Sequence, residues 1–157
     1  HHATQPLQLS AERYEMLSLG RETLAPYAKA DAEGQPIFRL VPGSATPVPF
    51  LAFASGAYMA RMVEQITRAQ AVPPALDTVY ETDMAEGLKA MAVEGHGIAF
   101  LPASSVRREL KSRRLVAAAP PGQFELTMEI RAYREKPEGA RQRKAAALAL
   151  WDFLRQG

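Results

Sequence analysis

Val79-Tyr-Glu-Thr-Asp-Met-Ala-Glu-Gly-Leu-Lys-Ala-Met-Ala-Val-Glu-Gly-His-Gly-Ile-Ala-Phe-Leu-Pro102 contains a strand end, a helix and a second strand in that order. Asp83 to Glu94 predicts a helix, because Met84, Leu88 and Met91 recur on one face. Thr82 or Asp83 would cap its start, since a short side-chain oxygen accepts a helix N–H that has no partner of its own. Gly95 and Gly97 punctuate its end. Ile98 to Leu101 is apolar and reads as a buried strand. Pro102 then opens a short helix reaching Leu110.

The same alternation continues on both sides. Upstream, Leu76 to Tyr80 is a short strand and Ala57 to Ala69 a helix, with Tyr58, Met62 and Ile66 on one face beside Met59 and Val63. Val48 to Phe53 is apolar and strand-prone. Asp31 to Pro49 is rich in Pro and Gly and reads mostly as connection, with Ile37 to Val41 as a short edge strand within it. Tyr14 to Leu19 and Thr23 to Lys29 read as two extended pieces divided at Gly20 and Arg21. Downstream, Leu115 to Ala118 is a strand. Phe124 to Tyr133 alternates strictly, with Phe124, Leu126, Met128, Ile130 and Ala132 expected on a buried face. Gly139 to Arg155 predicts a basic, Ala-rich helix whose Ala147, Leu150, Trp151 and Leu154 would dock on a sheet. Strands separated by helices of about a dozen residues imply an α/β fold with a mixed, largely parallel sheet flanked by helices. Ligands of such sheets bind beyond the carboxyl ends of the strands. Those places here are Ala54 to Gly56, Glu81 to Asp83 and Leu101 to Ala103.

Composition narrows the function. The 157 residues are 47% hydrophobic and 23% charged, in the range of a globular domain. The chain contains no cysteine, which excludes disulfides and thiolate sites. Its net charge of +2 is too small to imply nucleic-acid binding by the segment as a whole. No apolar run approaches the roughly 20 residues of a membrane span, and His1 to Leu9 lack the pattern of a signal peptide. His1 and His2 read either as the end of a tag or as native residues, and the abrupt start leads us to expect further chain upstream.

No catalytic or metal site is expected. The histidines are His1, His2 and His96, without metal-ligand spacing. His96 with Ser55 or Ser104 is not supported as a nucleophile pair by any G-x-S-x-G elbow. Gly95-His96-Gly97 follows a helix and precedes a strand, the reverse of a phosphate loop, and reads as a tight turn. Arg107, Arg108, Lys111, Arg113 and Arg114 read first as a solvated face, and secondly as an anion patch without interleaved aromatics. Met59, Met62, Met84 and Met91 read first as core filler and secondly as an oxidation switch, because a thioether turned sulfoxide is polar and must repack.

The stretch from Val79 to Pro102 resembles a signature of LysR-type transcriptional regulators, in which a helix leads into a Gly-x-Gly-Ile-Ala-x-Leu-Pro strand and turn. Val106 to Val116 resembles the family's next helix and strand, and the order of elements agrees from about Tyr14 to Leu154. The resemblance implies a periplasmic-binding-protein-like (type 2) effector domain, built from two α/β subdomains joined by crossover strands with a small effector between them. It also implies a DNA-binding helix-turn-helix, a cytoplasmic location, and a homodimer or homotetramer of the full-length protein. No cofactor is implied. The helix-turn-helix and most of the first subdomain are absent from this sequence, so half of the usual cleft is not formed by this chain alone. Residues 1–36 are expected to be crossover strands and a remnant of the first subdomain, 37–119 the second subdomain, and 120–157 the return strand and closing helix.

Pro49 to Arg61 is similar to the corresponding stretch of the hypochlorite-responsive LysR regulators, with a Tyr-Met pair at Tyr58-Met59 and a further methionine at Met84. The resemblance makes Met59 and Met84 candidate redox sensors. Effector-binding residues are expected to be Ser55, Gly56, Tyr58 and Met59 on one loop and helix start. Glu81, Thr82 and Met84 would stand on the next, and Phe100 is expected to line the site with them. Helix-start N–H groups would favour an anion there, whereas Glu81 would repel one, and the sequence leaves both open. The expected function is therefore sensing of a small molecule or an oxidant by a transcription factor. The alternative is a solute-binding protein of a transporter, which shares the fold.

Overall fold

The computed structural model describes residues 9–136 and 145–156. Six strands and four α-helices follow one another along the described chain: β1 (Tyr14–Lys29), β2 (Val48–Phe53), α1 (Tyr58–Arg68), β3 (Leu76–Thr82), α2 (Ala85–Glu94), β4 (Ile98–Pro102), a 3-10 turn (Ala103–Val106), α3 (Arg107–Lys111), β5 (Leu115–Ala117), β6 (Leu126–Glu135) and α4 (Ala145–Gln156). The chain divides into two compact units. One is residues 23–127; the other joins 1–22 to 128–157.

The unit of residues 23–127 holds a mixed sheet in the order β3-β2-β4-β1-β5. β2 pairs in parallel with both β3 and β4, while β1 runs antiparallel to β4 and to β5. The core is fully closed at Leu24, Leu51, Met62, Leu88, Ile98 and Phe100. α1 contributes Met62, Val63 and Ile66 to it, the face that the helical spacing predicts. On α2 the buried residues are Leu88, Ala92 and Val93.

The two glycines after α2 have separate jobs. Gly95 takes φ +90°, and the N–H groups of Gly95 and His96 donate to the carbonyls of Ala92 and Met91, closing the helix with a left-handed residue. Gly97 is needed for space: a Cβ there would lie 2.7 Å from the Pro49 carbonyl oxygen. Its absence lets β4 approach β2 closely enough for Phe50 to pair with Ile98.

Several expectations from sequence are corrected. Residues 14–29 form one strand, not two pieces, because Gly20 keeps the chain extended at φ +147°, a value that other residues rarely adopt. Ile37 to Val41 forms no strand. Ala30 and Pro36 make an isolated bridge, and Leu40 is buried by the loop with its N–H donating to Ala118 O. α2 begins at Ala85 rather than Asp83, and Met84 is exposed instead of facing the core with Leu88. The strand expected from Phe124 begins at Leu126, because Phe124 takes φ +54°; Phe124, Leu126 and Met128 are buried as expected, whereas Ile130 is open to solvent.

In the other unit β6 pairs with β1, and Arg134 donates to Glu15 at 2.5 Å. Arg134 also lies over the Trp151 ring of α4, 4.6 Å from its centroid. Of the stripe expected on this helix only Trp151 is buried. Leu154 is half-buried, and Ala147 and Leu150 are exposed. The start expected at Gly139 lies outside the described residues.

Candidate effector site

The parallel strands bring two loops side by side at their carboxyl ends. Phe53 stands opposite Thr82, and the N–H of Ala54, just past the strand, donates to Thr82 O at 2.9 Å. The chain leaves β2 by a tight turn in which Ala57 N–H donates to Ala54 O and Gly56 takes φ +85°. Ser55 and Gly56 are therefore exposed at the tip, and Tyr58 and Met59 follow half-buried in the first turn of α1. No side chain caps that turn and it holds no acid, so its N–H groups present partial positive charge to whatever lies outside.

The β3–α2 loop is built differently. Thr82 Oγ1 accepts the Met84 N–H at 3.3 Å, and the Gly87 and Leu88 N–H groups donate to Met84 O. The expected capping thus reaches only the residue before the helix, and no side chain caps α2 itself. Glu81 and Asp83 are exposed and Glu86 stands in the first turn, so acids already occupy the positive end of α2. Sequence left the sign of the site open between the helix starts and Glu81. The structure separates the two: the α1 start is free of acid and the α2 start is not.

A third loop, after β4, is stitched shut. Ser105 Oγ donates to Pro102 O at 2.7 Å, and Lys89 Nζ reaches from α2 to Ser105 O at 3.1 Å while pairing with Glu86 at 2.7 Å. The open part of the edge is accordingly the β2–α1 and β3–α2 pair.

Seven of the eight residues expected at the site stand on that pair of loops. Phe100 does not. It lies within β4 with no exposed surface, edge-on to Phe50 with ring centroids 6.2 Å apart. The two candidate redox residues differ in access: Met84 is 64% exposed and Met59 half-buried. Sequence reasoning missed Arg61 and Lys89. Arg61 Nη1 donates to Gly56 O at 2.7 Å, and its guanidinium lies 5.8 Å from the Tyr58 ring centroid, which fixes the β2–α1 turn and brings a cation to it. Its position three residues after Tyr58 on one helix face was the available signal.

Comparison with known proteins agrees with this architecture. The family model described as LysR substrate binding domain matches residues 3–157. The HTH-type transcriptional regulator YjiE of Escherichia coli K12 is 30% identical over 122 residues, covering 76% of this chain and 37% of that protein. HypT of Salmonella typhimurium, a hypochlorite-specific LysR-type regulator, superposes with a TM-score of 0.80 for its regulatory domain (24% identity, 99% of this chain, 68% of that one). Its full-length form gives 0.77 (25% identity, 91% and 46%). DarR of Vibrio fischeri, solved in complex with DNA, gives 0.75 at 29% identity, covering 94% of this chain and 46% of that one. The chain spans less than half the length of the curated relatives it matches. These relatives are transcriptional regulators, which sets the transport-protein alternative aside. With a family model matching from residue 3 to residue 157 and the expected α/β sheet in place, the chain belongs to the LysR substrate-binding domain family.

Proposed function

We propose that this domain is the signal-sensing part of a DNA-binding regulator, and that its effector meets the edge formed by the β2–α1 and β3–α2 loops. The family match along the chain carries the reading, and the uncapped, acid-free start of α1 beside Arg61 supports a small anion or an oxidant as the signal. Residues 37–119 act as the second subdomain, with crossover strands and a remnant of the first subdomain at 1–36 and the first subdomain's return strand and closing helix at 120–157. DNA binding belongs to a helix-turn-helix outside this sequence, and the full-length protein works in the cytoplasm as a dimer or tetramer. The domain binds and does not turn over its ligand.

Among the candidate residues Met84 is the first target for an oxidant, because its thioether is the more exposed. Hypochlorite would transfer its oxygen to sulfur, the methionine losing two electrons and the chlorine leaving as chloride. Stoichiometric hypochlorite followed by peptide mass mapping should add oxygen to Met84 before Met59. The same treatment should shift the thermal midpoint of the wild-type chain and leave Met84→Leu unmoved. In parallel, halides and small carboxylates should raise the midpoint, and Arg61→Gln should reduce the rise. A chain whose midpoint responds to neither oxidant nor anion would overturn the sensing reading.

A further inference from the structure

α3 and the turn after it carry Arg107, Arg108, Lys111, Arg113 and Arg114, all exposed. Glu109, the one acid in the segment, turns inward: it is 8% exposed and its Oε2 has no partner among the described residues. The chain has 19 basic and 17 acidic residues. Removing this segment's five and one leaves 14 and 16, so everything outside the segment is net negative. The whole positive excess of the molecule is gathered here.

An ordinary solvated face does not account for the pattern. Some exposed bases elsewhere are matched to acids, as in Arg13–Glu135 and Arg68–Glu64, and others, such as Arg21 and Arg39, stand singly in the sequence rather than in a cluster. Among the described residues none of these five makes an ion pair. Arg107 and Lys111 are like charges four apart on one helix, which repel. The acids that follow Ala30, whose N–H donates to Arg114 O, are already engaged in part: the Asp31 carboxylate accepts the N–H groups of Glu33 and Gln35. Arg113 stands at φ +55°, left-handed backbone that glycine would adopt without strain. An arginine kept there, among four other unpaired cations, fits an external polyanion.

We propose that the Arg107–Arg114 face holds the phosphate backbone of double-stranded DNA without reading its sequence. No aromatic side chain interrupts the segment, so it offers no platform for the stacked bases of a single strand. The choice of DNA over another polyanion rests on the proposed reading of the parent as a DNA-binding regulator.

The test is fluorescence anisotropy of a labelled mixed-sequence duplex with the 157-residue chain, across a salt series at and below physiological strength. Weak binding should fall with salt with a log–log slope of about −2 to −4, as expected for contacts to a few phosphates. Arg107→Gln/Arg108→Gln/Lys111→Gln should lower affinity at least about tenfold at the lowest salt and flatten the slope by about 2 to 3. Arg113→Gly should weaken binding while raising the thermal midpoint, a split that a merely structural role would not produce. Absence of salt-dependent binding, or equal binding by the triple variant, overturns the proposal. A poly-glutamate chain that binds more tightly than the duplex also overturns it and assigns the face to an acidic protein. These outcomes are independent of any effector. A domain that binds duplex yet ignores oxidants and anions would sink the sensing reading alone.

Discussion

β3 and β4 flank the same central strand, both parallel to β2, yet they live in different solvents. Ile98, Ala99, Phe100 and Leu101 of β4 have no exposed surface. β3 is open along most of its length, with Val79 51% and Tyr80 38% exposed. Both strands contain strand-forming residues, so composition does not separate them. Position does: β4 is covered laterally by β2 and β1, whereas β3 ends the sheet. A strand at the edge of a sheet can afford Asp77, Glu81 and threonines, and such charges also discourage edge-to-edge pairing with other chains.

The contrast is broken first by truncation. Phe100→Ala should cost about 3–5 kcal/mol, because it removes a closed aromatic contact and leaves a cavity. Val79→Ala on β3 should stay within about 0.5 kcal/mol. Urea denaturation of both variants measures the gap, and equal costs would mean that β3 is covered in solution. Next in size is Gly97→Ala, expected to cost about 1–3 kcal/mol through overpacking against the Pro49 carbonyl. If its stability equals the wild type's, the close approach of β4 to β2 is not what fixes that glycine.

The smallest effect concerns β6, which is half-open and uses polar bonds where β4 uses burial. Hydrogen bonds from Ser18 and then Arg131 hold the Glu129 carboxyl below its ordinary pKa. A carboxyl depressed in the folded state stabilises the fold above its unfolded pKa of about 4.3, and that stability is lost as pH falls through the lower folded value. Glu129→Gln should therefore match wild type most closely at the acid end of a pH series and fall below it toward neutrality, as read by thermal midpoints.

Much of this contrast was readable in advance. The run Ile98 to Leu101 announces a buried strand, and Gly95 announces a helix end, because both are local consequences of residue type. Gly97 is read as punctuation for the same reason, although its real neighbour is Pro49, far away in sequence. Met84 was assigned to a core face because helical spacing was counted from Asp83. With the helix starting at Ala85 that spacing no longer applies, and the side chain is left on an open loop. The placement of Ser55, Gly56, Glu81 and Met84 at the carboxyl ends of β2 and β3 is legible because helices follow both strands, and parallel sheets place ligands at such ends. Phe100 was misplaced because sequence gives a strand but not the depth of each residue within it. The exposed stripe of α4 was read as docked for a similar reason: periodicity identifies an apolar face and says nothing of what meets it.

The division of the chain has a consequence for how it is made. Residues 23–127 are one uninterrupted segment, whereas the other unit needs residues from before position 23 and after position 127. During synthesis every residue of the first is joined before residue 128 is added. The unit of residues 23–127 can therefore close from a single run of chain, whereas the other, holding β6 beyond Thr127 and α4, cannot form until residues past 127 meet a stretch that precedes position 23.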